Sequence, residues 1–463
     1  LSQKMKMPVI LRLTTHVCHA KEKVSFDSYT PRRIDETSRF DPAKGPYIPL
    51  TSGVFPLKTR ALEKLQALSQ YADTDGLAET FGEGSDRGIL TAGLPSLSIR
   101  DSLEGVPNPP DLLVLGMVHP LPRETILRFL KSHKEVKVIE ELDPILEKEV
   151  KVLAYEERIE TRIRGKESPD QWLGEYTPDK TARVLAETWP EIFPLPTAEI
   201  SSAAVPPRPA QLCPGCGHRS AFYAVKKALK AEDITVADIG CHSLGFLPPY
   251  EMGQVLLCMG HSSGTGAGLS LFNRSRKVVA FLGDSTFFHA GIPGIVNAVY
   301  NNHNLTLIIM ENGTTAMTGH QDHPGSGKSV HGVAEAVSIK TLLPALGVKS
   351  IRDVDTYQQA KLTEAVKEAI EEPGFSVVIA RHPCMLKFTR ERRKKGIHPE
   401  TRAKINQETC EKIHECVSLF GCPSFQLQPD GSVVVSEDLC IGDGSCLQTC
   451  PVQAISLEKG EKK

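Results

Sequence analysis

Two short runs, Val278-Val279-Ala280-Phe281-Leu282-Gly283-Asp284-Ser285 and Leu305-Thr306-Leu307-Ile308-Ile309-Met310-Glu311-Asn312-Gly313, decide how this chain folds. Each is an almost unbroken apolar run of strand length that stops at a polar turn, as expected of a strand buried on both faces of a parallel sheet. Asp284 and Asn312 then stand 28 residues apart, each just past the carboxyl end of its strand. In doubly wound sheets that edge is where ligands bind. A carboxylate and an amide oxygen, with room for phosphate oxygens and water, suit octahedral Mg²⁺. Gly283 lets a ligand approach the backbone closely, and a helix beginning near Gly291-Ile292-Pro293 can offer N–H groups to an anion. Gly-Asp-Ser alone is a weak signal, because strand-to-turn corners often carry Gly and Asp for turn chemistry. The second strand ending in Asn makes it much stronger.

Outward from this pair, residues 44–150 alternate short apolar runs and helical spacing. Runs at 112–116 and 136–140 flank a 123–132 segment with Ile126, Leu127, Phe129 and Leu130 at helical intervals. That is a βαβ pattern and implies another parallel sheet. Residues 161–209 are rich in Pro and polar groups and read as a linker, or as an arm packed on a partner. The chain starts with Leu, and Met7-Pro8-Val9-Ile10-Leu11-Arg12-Leu13 reads as a buried strand with nothing before it to pair against. The expectation is that a preceding domain is missing or carried on another chain. The basic run at 387–395 reads first as a solvated linker, and only second as a dock for an acidic electron acceptor.

Six of the twelve cysteines lie beyond residue 409, in two copies of one pattern. Cys410, Cys416 and Cys422-Pro423 are followed by Cys440, Cys446 and Cys450-Pro451. Bacterial ferredoxins hold two clusters with such runs, four cysteines to a copy, the last of each ligating the other cluster. Here the second position of each copy is Ile413 or Asp443. One site is therefore Cys410, Cys416 and Cys450 with Ile413 in the vacant place, which predicts a 3Fe–4S cluster or an empty site. The other is Cys422, Cys440 and Cys446 with Asp443, whose oxygen can replace a thiolate although it is a harder ligand, so this site could hold 4Fe–4S with one oxygen ligand, or 3Fe–4S. Cys213-x2-Cys216 has metal-ligand spacing and on its own fits zinc, a redox pair or neither. Cys241 and Cys384 could complete four thiolates. Cys18 and Cys258 have no spacing partners and read as ordinary buried thiols.

Composition narrows the function. With 463 residues the chain should hold about three domains. A formal net charge of -2 gives no electrostatic case for nucleic acid. No apolar run approaches the ~18 residues of a membrane span, and the start is too short and too charged for a signal peptide. Clustered cysteines without a secretion signal point to a reducing compartment, the cytoplasm by default.

Four segments carry a resemblance. They are Cys213-Pro214-Gly215-Cys216-Gly217-His218-Arg219, Asp238-Ile239-Gly240-Cys241, Gly283-Asp284-Ser285-Thr286-Phe287-Phe288-His289 and Thr314-Thr315-Ala316-Met317-Thr318-Gly319-His320-Gln321. The strand pair resembles the thiamine-diphosphate-binding domain, whose Gly-Asp-Gly or Gly-Asp-Ser is followed at about this distance by Asn. Together, and over nearly the whole chain, the segments resemble the 2-oxoacid:ferredoxin oxidoreductases, above all those acting on indolepyruvate. The fold then implied is α/β: a doubly wound thiamine-diphosphate-binding domain over 210–388 and a transketolase-C-terminal-like domain over 44–160. A linker at 161–209, a basic linker at 389–403 and a small α+β ferredoxin-like domain over 404–463 complete it. Residues 1–24 would be a remnant of a pyrimidine-binding domain.

The resemblance also implies roles. Asp284, Asn312 and the Thr314 carbonyl would bind Mg²⁺, and Gly283, Ser285 and Met317 would contact the cofactor. Cys213, Cys216, Cys241 and Cys384 would hold a 4Fe–4S cluster beside it. His218 and His289 are candidates for proton transfer, with a structural hydrogen-bonding role equally open. The implied reaction is oxidative decarboxylation of indolepyruvate, phenylpyruvate or 4-hydroxyphenylpyruvate, with the acyl group passing to coenzyme A and electrons to ferredoxin. A β subunit and a chain supplying the pyrimidine-binding domain are implied as partners. Two alternatives stay open: a non-oxidative thiamine-dependent decarboxylase, and a non-catalytic electron-transfer or assembly subunit.

Overall fold

The computed structural model describes residues 1–28, 48–194 and 209–459. Contacts divide the chain into two units, Leu1–Ala204 and Val205–Lys463.

In the first unit, five strands form one sheet in the order Ala78–Phe81, Asp111–Leu115, Arg87–Ala92, Glu135–Ile139 and Arg162–Arg164. All pairings are parallel except that of the edge strand Ala78–Phe81 with Asp111–Leu115. The βαβ pattern is present, with helix Arg123–Lys131 burying Ile126, Leu127, Phe129 and Leu130. Its two strands are not neighbours, however, because Arg87–Ala92 lies between them.

Two expectations fail in this unit. The 161–209 segment is no linker over its described part: Arg162–Arg164 joins the sheet and Pro178–Thr188 forms a helix capped by the Thr177 hydroxyl. Val184, Leu185 and Trp189 from this segment bury against Ile89, Ile99 and Leu112, and Trp189 Nε1 donates to Glu135 Oε2 at 2.8 Å. Residues 195–208 lie outside the described part. The strand expected at residues 7–13 is absent, and Ile10 and Leu11 are 91% and 80% exposed. Among the described residues no strand stands beside it to take its backbone hydrogen bonds. Among the described residues no helix is long and apolar enough to cross a membrane.

The second unit is built on a five-stranded, wholly parallel sheet. Its order is Ser350–Asp355, Phe375–Arg381, Leu305–Glu311, Val278–Gly283 and Ile234–Val236. Alternate residues of the central strands feed two cores. Val279, Phe281, Ile308, Met310 and Val378 pack with Phe222, Val225, Leu362 and Val366, while Val278, Ala280, Leu282, Leu307 and Ile379 pack with Ala267, Ile295 and Leu343. Both faces are therefore dry, which is why these strands read as continuous apolar runs. Each Val, Leu, Ile, Phe or Met side chain among them contributes about 1.5–3 kcal/mol on full burial.

Helical structure starts at Asp284, directly after the strand, rather than near Gly291. It continues through a π turn at Phe287–Gly291 into Ile292–Tyr300. Pro293, which lacks an N–H, interrupts the regular ladder rather than opening the helix.

Past this sheet, Met385–Lys394 is helical and Thr401–Ile405 pairs with Ile455–Lys459, so the 389–403 stretch is mostly ordered structure rather than linker. A second hairpin pairs Phe425–Leu427 with Val433–Val435. The small core of this cysteine-rich region contains Phe420, Phe425, Val433, Cys440, Cys446 and Ile455, and Tyr223 of helix Gly217–Ala228 joins it.

Candidate active site

Strand register builds the Gly-Asp-Ser corner. Gly283 pairs with Met310, so Asp284 arrives beside the two residues that follow strand Leu305–Glu311. Its Oδ2 accepts the N–H groups of Asn312 at 2.8 Å and Gly313 at 2.6 Å, and Oδ1 accepts from Ser285 N at 2.8 Å. The Thr315 hydroxyl donates to Ser285 Oγ at 2.8 Å, and Asn312 Oδ1 accepts from Thr314 N at 3.0 Å. Asp284 and Thr314 are buried, each 2% exposed, whereas Met317 is 49% exposed.

Burial works against ionising Asp284. The adjacent His323 ring and the two backbone N–H groups outweigh it, and the pKa lies below the usual carboxylate range. His323 Nδ1 accepts from Gly325 N at 3.1 Å, so a neutral His323 carries its proton on Nε2. That nitrogen stands 3.4 Å from Asp284 Oδ2, just outside hydrogen-bond geometry. Asp284 Oδ1 and Asn312 Oδ1 each have one donor and keep a lone pair, a donor set suited to a hard cation such as Mg²⁺.

Two more histidines crowd this corner. His242, 3% exposed, is walled by glycines: a Cβ on Gly283 would lie 3.1 Å from its Cε1, and one on Gly240 would lie 2.8 Å from it. Burial and then His218 lower the His242 pKa to about 3, and among the described residues its Nε2 has no partner. The His218 ring lies 6.1 Å away by centroid. Burial lowers its pKa too, against the opposing pull of Asp284. His289 is exposed and does not join this group. Asp238 caps the next helix, accepting from Gly260 N at 2.9 Å and Ser262 N at 3.0 Å.

His218 also links this corner to a cysteine site, because Cys216 Sγ lies 3.5 Å from its Nδ1. Cys384 is held by the sheet: its N–H donates to the Asn312 carbonyl at 3.0 Å. Burial first, then the charges of Cys216, Cys384 and Cys213, push the Cys241 thiol up to about 12. Cys213 is raised by burial, then by Cys216 and Cys384. Each of these four thiols thus lies near enough to another to feel or exert its charge.

Two further groups form in the C-terminal region. Burial and then Cys450 and Cys410 push Cys416 up to about 11, and Ile413 lines the same cavity as these three. Cys446 is raised by burial, then by Asp443, Cys422 and Cys440. Ala403 N donates to Cys440 Sγ at 3.3 Å and Ala454 N to Cys450 Sγ at 3.2 Å. Among the described residues no three potential ligands converge as a single metal ion requires. Cys18 and Cys258 are exposed, not buried. Each lies outside the apolar cores, which leaves its thiol in water.

Sheet, corner and cysteine groups define a thiamine-diphosphate-binding α/β enzyme joined to an iron–sulfur region. Residues 238–380 match the thiamine pyrophosphate enzyme C-terminal TPP binding domain, and residues 433–456 match the 4Fe-4S binding domain. The chain is 34% identical to indolepyruvate oxidoreductase subunit IorA of Methanothermobacter marburgensis, over 99% of this chain and 74% of that protein. The Thermococcus kodakarensis subunit IorA is 32% identical, over 100% and 75%. The 2-oxoglutarate synthase subunit KorB of Methanothermobacter thermautotrophicus is 24% identical, over 50% and 82%. Among solved structures, the 2-oxoglutarate:ferredoxin oxidoreductase from Magnetococcus marinus aligns over 40% of this chain and 70% of its own, at 22% identity and TM-score 0.36. The chain belongs to the indolepyruvate oxidoreductase subunit IorA family, within the 2-oxoacid:ferredoxin oxidoreductases.

Proposed function

We propose that this chain is the thiamine-diphosphate and iron–sulfur subunit of an enzyme that oxidatively decarboxylates arylpyruvates, indolepyruvate among them. Products are the aryl-acetyl coenzyme A thioester and CO₂, with ferredoxin taking the electrons. Bound thiamine diphosphate supplies the carbanion chemistry that releases CO₂ and leaves two electrons to be removed. Asp284 Oδ1, Asn312 Oδ1 and the Thr314 carbonyl hold Mg²⁺, with Gly283, Ser285 and Met317 against the cofactor. His323 orients Asp284. His218, kept neutral by burial beside Asp284, is the candidate for proton transfer at this corner; His289 is the weaker candidate for such a role, being exposed. Cys213, Cys216, Cys241 and Cys384 hold the first cluster. Cys422, Cys440, Cys446 and Asp443 hold one C-terminal cluster, and Cys410, Cys416 and Cys450, with Ile413, hold a 3Fe–4S cluster. A β subunit completes the enzyme, and its location is the cytoplasm.

One observation carries the oxidative reading over simple decarboxylation: a four-thiol group is tied to the same residues as the cation corner. Cys384 hangs on the Asn312 carbonyl, and Cys216 touches His218 beside Asp284. On this reading an electron acceptor stands in the wall of the cofactor site. The test is anaerobic viologen reduction by the chain co-expressed with its β subunit. Reduction that requires both indolepyruvate and coenzyme A supports the reading. No reduction with all components present would sink it.

A further inference from the structure

Arg219 closes the Cys213–Arg219 motif and has no part in the chemistry above. It is 1% exposed, among the largest fully buried side chains. Its guanidinium joins two loops that carry cysteines. Nη2 donates to the carbonyls of Leu212 and, at 3.3 Å, Cys213. Nη1 donates to the Phe420 carbonyl at 3.3 Å, the Gly421 carbonyl and Tyr250 Oη at 3.0 Å, and Tyr250 in turn donates to Phe420 O at 2.6 Å. These are the residues immediately before Cys422. Nε has no partner.

All these acceptors are neutral. Among the described residues no carboxylate lies within ion-pair distance of Arg219. The nearby acids are engaged elsewhere: Glu251 faces Lys226 at 3.8 Å, and Glu415 faces Lys227 at 3.2 Å. A buried charge without a counter-charge costs several kcal/mol, and guanidinium does not escape by losing its proton. The negative charge must come from groups already beside it. Its hydrogen bonds put it on the carbonyl of Cys213 itself and on that of Gly421, the residue before Cys422.

We propose that Arg219 is the shared counter-cation of two cluster sites, Cys213–Cys216–Cys241–Cys384 and Cys422–Cys440–Cys446–Asp443. It holds the reduction potential of each above the value its ligands alone would give. Reducing either cluster adds one electron and makes or breaks no bond. The added negative charge is stabilised by a fixed positive charge in a medium that screens it poorly. The same side chain ties the two ligand loops together, so cluster charge and loop packing depend on one residue.

The assignment rests on reading both cysteine sets as cluster sites, and its test separates the two claims. Iron and sulfide are measured first on wild-type protein purified anaerobically with its β subunit; their absence would sink both. Arg219→Met keeps the length of the side chain and removes the charge. In a potentiometric titration followed by paramagnetic resonance, both midpoints should fall. The ratio of reduced to oxidised cluster at a given potential drops about tenfold, which is 59 mV for a one-electron couple. Arg219→Lys should recover most of that shift. If Arg219→Met does not assemble, Gln211→Glu decides. Gln211 is exposed at the mouth of a cavity that Arg219 lines. A carboxylate there should lower both midpoints, by two- to threefold in the same ratio. Intact clusters with unmoved midpoints, even at a lower melting temperature, would overturn the assignment and leave Arg219 a structural clamp.

Discussion

Asp284 is ionised and almost fully buried because backbone N–H groups, not water, solvate it. Its donors come from the chain immediately past the neighbouring strand, so the charge is held by the sheet itself. His323 Nε2 stands 3.4 Å from the same carboxylate oxygen, and removing such a supporting group typically weakens a metal site 10–100-fold. His323→Gln should therefore weaken Mg²⁺-dependent binding of thiamine diphosphate by about that factor in calorimetric titration, and Asp284→Asn should abolish it. Unchanged affinity in either variant would show that the cation binds elsewhere. Asp284 and Asn312 could be read from sequence because each ends a strongly apolar run. His242 and His323 could not, since a lone histidine has no spacing to mark it. Their positions beside Cys241 and Gln321, in segments already notable, were the available hint.

His242 also makes a pH prediction. Unfolded, it takes up a proton near its ordinary value of 6.5; folded, it stays neutral down to about 3. Stability that is full above the unfolded value is lost as pH falls toward the folded one. Between pH 7 and 5.5 this amounts to about 1 kcal/mol in favour of the unfolded chain. His242→Asn should flatten that part of the pH–stability curve relative to wild type, as read by chemical denaturation at each pH. Ile413 yields a prediction of a different kind. Ile413→Cys supplies the missing thiolate, so the oxidised 3Fe–4S resonance should vanish and one more iron should be found per chain. Persistence of that signal in the variant would mean it arises at another site.

At the level of elements, what sequence reveals depends on how each strand is buried. Val278–Gly283 and Leu305–Glu311 are central and dry on both faces, and their apolar runs are unmistakable. Arg87–Ala92 is equally central but has only Ile89 and Leu90 as large aliphatics; Thr91 is buried by donating to the Ile139 carbonyl at 2.8 Å. Propensity could not flag it. Helix Pro178–Thr188 was hidden among prolines and charges, although Val184, Leu185 and Trp189 are spaced to share a face. The π turn after Asp284 was invisible because it arises from a proline inside a helix that had already begun.

The loop bearing Cys213 and Cys216 meets the C-terminal region at Gly215. Its φ is +67°, and a Cβ there would lie 2.4 Å from Ile441 Cδ1. The Gly215 carbonyl accepts from Tyr357 Oη at 2.7 Å. Gly215→Ala should cost about 1–3 kcal/mol from backbone strain and overpacking. The loss should appear as a lower melting temperature and faster proteolysis of the C-terminal region. Wild-type protease resistance would contradict that packing.

At the scale of the whole chain, family membership and the Asp284–Asn312 corner support one account: carbon chemistry and electron removal share a wall. Much of this was legible early, because cofactor corners and cysteine spacings are local signals. The alliance of Cys384 with Asn312 was not, since it depends on strands Leu305–Glu311 and Phe375–Arg381 lying side by side. Arg219, spanning residues some 200 positions apart, was equally out of reach.

The most direct measurement is paramagnetic resonance of the anaerobic complex frozen after adding indolepyruvate and coenzyme A, with no chemical reductant. The account predicts that a reduced 4Fe–4S signal appears at the rate of CO₂ release and is lost in Cys384→Ala. CO₂ and free aldehyde forming while every cluster stays oxidised would contradict it.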